Sequence, residues 1–148
     1  MPSSSVSRPM PVRRAADALF LLGLAATDPL RRAIYTFFLD RNGIGGVITE
    51  VTGTDDPDAV LDVVEVMATA AQGIDRDLSL VVATVRPDAG VLPGDIDRWL
   101  EASATCARFG VDLVEWFVIS PDGVECPRDL LGEPERWSFT PRPDVAPG

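Results

Sequence analysis

Histidine is absent from this chain of 148 residues, and so is lysine; all 13 basic residues are arginine. The first absence removes the commonest general base and the commonest metal ligand. The second excludes Schiff-base chemistry and a P-loop lysine. Cysteine is scarce. Cys106 and Cys126 make no Cys-x-x-Cys pair, so they read as two reduced thiols of a cytosolic protein, with a Cys106–Cys126 disulfide as the alternative. The longest fully apolar run, Ala18 to Ala26, is too short to span a bilayer. Arg13-Arg14 ahead of that run is a signal-peptide feature, but Asp17 interrupts the entry and no small-x-small cleavage site follows. Positive charge is also short, with 13 arginines against 23 acidic residues and a net charge of −10. A phosphate-backbone binder needs a basic face, so nucleic acid is not the expected partner. These absences point to a cytoplasmic protein without membrane contact.

What is present is an apolar fraction of 46%, which suits one core with flexible ends. Residues 1–12 are Ser/Pro-rich and read as disordered. Residues 13–27 read as a packing helix, with Ala16, Leu19, Phe20, Gly23 and Leu24 as its inner stripe and Thr27-Asp28-Pro29 as its end. Residues 28–120 read as the domain proper. Arg32–Leu39 and Gly46–Thr52 are its first two strands, joined by the turn signal Asp40-Arg41-Asn42-Gly43. A helix starts with Asp56 as N-cap and Pro57 as first residue and runs to Ala71; Val60, Leu61, Val64, Met67, Ala68 and Ala71 form its core stripe. Leu78–Val85 is a buried strand. Asp95–Phe109 is a helix closed by Gly110, with Ile96, Trp99, Leu100, Ser103, Ala104 and Ala107 inward. Asp112–Ser120 is the last strand. Residues 121–148 are Pro-rich and irregular, with Leu130, Leu131, Trp137 and Phe139 laid on the domain and the end, from Pro141, disordered. The order α-β-β-α-β-α-β predicts an α/β (α+β) fold, a mixed sheet flanked by helices.

The stretch Thr84-Val85-Arg86-Pro87, with Gly94 and Asp97 after it, carries a family pattern. It resembles the RadC/JAB (MPN) motif His-x-His-Pro-x6-Ser-x2-Asp. Thr84 and Arg86 stand at the two histidine positions and Gly94 at the serine position; Pro87 and Asp97 match. The resemblance covers residues 28–120 and extends to Gly53-Thr54 before the second helix. It implies a JAB/MPN-like sheet and, in members with an intact motif, zinc held by two histidines and an aspartate. Here the motif is degenerate. Thr84 is a poor ligand and Arg86 a permanent cation, so no metal and no cofactor are expected.

Removing a dication from a carboxylate pocket leaves negative charge that is costly when buried. Arg86 is expected to fill that place and pair with Asp97, with Glu115 as second candidate; the other reading leaves Arg86 in solvent. Glu50 reads as an outward side chain by strand alternation, or as a further carboxylate at the site. Three functions compete. The first is a non-catalytic RadC/JAB-like interaction or scaffold module with a protein partner or as a homodimer, to which Trp99, Trp116 and Trp137 supply contact surface. The second is a hydrolase that uses Glu50, Asp97 and Glu115 with a hard metal ion. The third is an anion binder built on Arg86 and the helix start, which Asp95 and Asp97 disfavour.

Overall fold

A computed structural model describes residues 11–25, 30–53, 55–74 and 77–137. In chain order they form α1 (Ala15–Ala25), β1 (Ala33–Leu39), β2 (Thr49–Thr52), α2 (Ala59–Ala71), β3 (Ser79–Val85), α3 (Asp95–Arg108), β4 (Asp112–Ser120), β5 (Gly123–Glu125) and α4 (Pro127–Leu131). The expected seven elements are there in order. A short strand and a short helix follow them, in the tail expected to be irregular. The strands make one mixed sheet in the order β2-β1-β3-β4-β5. β3 and β4 run parallel and the other neighbours antiparallel. No helix among the described residues is long and apolar enough to cross a membrane.

Both faces of this sheet are covered. Ile34, Leu80, Val82 and Trp116 pack with α2 and α3 on one side. Phe37, Val81, Ala83 and Phe117 pack with Ala18 and Leu22 of α1 on the other. β3 lies in the middle and is buried at every residue. That is why it reads as an unbroken apolar run rather than an alternation. Between β3 and β4 the register steps from Leu80–Leu113 to Val81–Glu115, which leaves Val114 as an extra residue. This bulge re-aims Glu115.

Helix faces were the least legible part of the chain. In α1 the buried residues are Ala18 and Leu22, while Ala16, Phe20 and Gly23 of the expected stripe are exposed. The helix is apolar all round, so spacing alone selects no face. Leu24's side chain lies outside the described residues. In α3 the buried set is Asp95, Trp99, Ala102, Thr105 and Cys106. Leu100, Ala104 and Ala107, expected inside, are exposed, because two of the inward positions are polar and hide the true period. α2 buries Val60, Val64, Ala68 and Ala71, with Leu61 and Met67 half-covered. It begins at Ala59 rather than Pro57, since the Asp56 carboxylate accepts from the Asp58 N–H at 2.9 Å and holds a turn first.

The turn after β1 forms as expected, with the Asp40 carboxylate accepting from the N–H groups of Asn42 and Ile44 and Gly43 at φ 77°. The second strand is shorter than expected, because residues 46–48 leave the ladder between the Leu39–Gly45 bridge and β2. At the ends, Pro11 bridges to Ile44 and Val12 is fully buried, so the expected N-terminal disorder does not hold for these two. Residues 1–10, Thr27-Asp28-Pro29, Thr54, Phe139 and 141–148 lie outside the described residues. In the tail Trp137 joins the α1-side core, but Leu130 and Leu131 stay exposed. Trp99 and Trp116 are buried core residues and offer no contact surface.

Thr36 on β1 is 1% exposed, and its hydroxyl finds no hydrogen-bond partner among the described residues. Thr36→Val keeps the shape and removes that cost. Urea unfolding should show a gain of about 1 kcal/mol; a loss would mean that the hydroxyl is satisfied.

Candidate functional site

In open α/β sheets ligands bind beyond the carboxyl ends of the parallel strands. Here that place is the end of β3 beside the end of β4, followed by the 86–94 loop. Arg86 continues the strand, its N–H donating to Ile119 O at 2.8 Å. Pro87 after it holds Arg86 near the extended region. The guanidinium then folds back under the loop. It donates to Gly90 O at 3.0 Å, to Asp95 Oδ2 at 2.7 Å and to Asp95 Oδ1 at 3.2 Å. Its carbon stands 6.0 Å from the centre of the Trp116 ring, within cation–π reach.

Asp95 opens α3. Its carboxylate also accepts from Leu92 N–H at 2.7 Å and from Arg98 Nη1 at 2.8 Å. Arg98 in turn donates to Asp58 at 2.8 Å. One chain of charges, Arg86–Asp95–Arg98–Asp58, therefore ties the end of β3 to the starts of α3 and α2. The Arg86 and Asp95 side chains are 4% and 0% exposed. Burial by itself pushes the Asp95 carboxyl up, but the hydrogen bonds from Arg86, Leu92 and Arg98 outweigh it and hold the group below the ordinary aspartate value.

The expected pairing is thus half right: Arg86 is buried and bidentate, but its partner is Asp95. Asp97 is exposed on the outer face of α3. The position of Asp95 in the first turn lets its side chain reach back to Leu92 and Arg86 together, whereas Asp97 is two residues further round the helix. The i,i+3 spacing of Asp95 and Arg98 signals only the second bridge, Arg98 to Asp95. Glu115, the second candidate, is fully buried and belongs to another pair. Arg128 Nε donates to it at 2.8 Å, and the Trp116 N–H donates at 3.1 Å. Arg128 also donates to Glu133 O, which pins the tail to β4. Burial pushes the Glu115 carboxyl up, and Arg128 only partly opposes this.

Thr84 is buried and its hydroxyl accepts from the Trp116 indole N–H at 2.9 Å. Pro87 is half-buried. Gly94 has φ 93°, and an added Cβ would lie 3.2 Å from the Arg98 guanidinium, so the loop needs glycine where the family motif has serine. Glu50 sits exposed on β2, where the Tyr35 hydroxyl donates to it at 3.1 Å. Glu50, Asp97 and Glu115 are not brought together, and among the described residues no three of His, Cys, Asp or Glu are grouped so as to hold a metal ion.

The residues present do not fit a zinc site. Thr84 is engaged by Trp116, Arg86 is a cation, and the Asp95 carboxylate is filled by four N–H contacts from arginine and backbone. The cavity beside Arg86 and Thr84 has about 30 Å³, room for a water molecule and no more. Cys106 and Cys126 are not bonded to each other, and burial pushes both thiols up to about 12, far from a reactive thiolate. Compared with family models, with curated proteins and with solved structures, the chain finds no match in any of the three.

Proposed function

We propose that this chain is a non-catalytic, metal-less RadC/JAB-like domain that serves as a protein-interaction or scaffold module. The observation that supports it is the buried Arg86–Asp95 pair, 2.7 Å apart, at the strand end where the motif would place a metal. A site meant to hold a dication and an activated water has to keep a coordination position open. This one is closed by a fixed cation and its counter-ion. The proposal places the protein in the cytoplasm with its thiols reduced, and gives it a protein partner or a second copy rather than nucleic acid, in keeping with a net charge of −10.

Calorimetric titration of the full chain with zinc, manganese and magnesium at neutral pH tests the reading. No stoichiometric binding is expected to any of the three. One ion of any of the three per chain, lost in Asp97→Ala, would overturn it and favour the hydrolase.

A further inference from the structure

We infer that the outer face of α3, together with α4, docks a basic amphipathic helix of a partner protein. The inference rests on the interaction-module reading and adds the surface and the chemistry of the partner. Three large apolar side chains are left in solvent on these two helices, which pack against each other: Leu100 at 44%, Leu130 at 54% and Leu131 at 39% exposure. Trp99 donates to Glu133 at 3.1 Å and Arg136 donates to Ser103 at 3.2 Å, so the tail lies along the Trp99–Ser103 row of α3. By helical spacing Leu100 is the next residue outward from that row, with exposed Ala104 one turn on. The apolar strip of α3 therefore runs beside the tail that carries the two other leucines.

These leucines are held in place. α4 is anchored by buried Pro127 and by the Arg128–Glu115 pair, and Gly132 ends it at φ 87°. A rigid apolar face costs a partner little ordering. Its rim selects the partner by charge. Asp97 and Glu101 on α3, and Asp129 and Glu135 in the tail, are all exposed. Among the described residues, Arg98 is committed to Asp95 and Asp58, Arg128 to Glu115, and Arg136 lies over the Trp99 ring at 4.4 Å. Arg108 lies at the far end of α3. A second copy would bring the same acidic rim onto this one and be repelled. A helix with leucine-type anchors at i, i+3 and i+4 and arginine or lysine on its flanks meets both the apolar centre and the acidic border.

The test is fluorescence anisotropy with the full chain and a labelled synthetic amphipathic helix of about five turns, with leucines on one face and arginines beside them. Micromolar binding is expected, weakening with salt. Leu100→Ser with Leu130→Ser should leave the melting curve unchanged and weaken binding about tenfold. A scrambled peptide of equal charge should bind at least as weakly as that variant does. No binding of the amphipathic peptide, equal binding of the scrambled one, or indifference to the leucine pair would each overturn the inference. So would a homodimer by light scattering that the same pair dissociates, since it gives the face to a second copy. None of these results bears on the metal titration, so the two readings fail separately.

Discussion

Arg86→Ala should cost about 3–5 kcal/mol of stability at neutral pH, a large share of what a domain of this size has. The variant strands the Asp95 carboxylate, 0% exposed, with only Arg98 and one backbone N–H to hold it. Arg86→Met combined with Asp95→Leu should recover part of that loss, since an apolar pair of similar volume carries no uncompensated charge. Asp95 is held lower in the folded chain than in the unfolded one. Its pairing therefore adds stability above the unfolded value, and that contribution fades as pH falls toward the folded value. The gap between the wild type and Arg86→Ala should narrow in the same acid range. Urea melts at neutral and acid pH check both statements. A cost under about 1 kcal/mol would place Arg86 among ordinary surface ion pairs.

Arg128→Ala should be next in size, costing about 3 kcal/mol and releasing the tail. Glu115 is fully buried and already sits above the ordinary glutamate value; without Arg128 it has the Trp116 N–H and the Cys126 thiol for company. A carboxyl raised by folding behaves opposite to Asp95: its contribution is fully present below the unfolded value and is lost as pH rises through the folded one. The Arg128→Ala deficit should thus be greatest at neutral pH and shrink as Glu115 takes up a proton. Limited trypsin digestion, reading cleavage at Arg136, reports the release. Unchanged protection of Arg136 would show that Trp99, Glu133 and Leu113 hold the tail unaided.

The order of elements along the chain and the buried strand Ser79–Val85 were legible because apolar β-branched runs between turn signals have one reading. That Thr84, Arg86 and Pro87 stand at the end of β3 was legible for the same reason. The partner of Arg86 was not, because the choice between Asp95 and Asp97 depends on the backbone at Gly94 and on the Leu92 N–H, which no spacing encodes. Glu115 was read as a second partner for Arg86 from its place on the neighbouring strand, but the bulge at Val114 sets it opposite Val81 and Arg128 takes it. Arg128 escaped notice because a Pro-rich tail gives no sign that it holds a buried cation. The outward turn of Leu100 was hidden by Asp95 and Thr105, polar residues on the inner face of α3.

A fixed ion pair, Arg86 with Asp95, occupies the end of β3, and we propose that no metal binds there. Carbon-13 NMR of the Asp95 carboxyl, followed through a pH titration with and without zinc, tests it most directly. The claim requires a carboxyl that titrates below the ordinary aspartate range and whose resonance zinc leaves unmoved. A resonance that titrates as a free aspartate, or that zinc shifts in proportion to its binding, would contradict it.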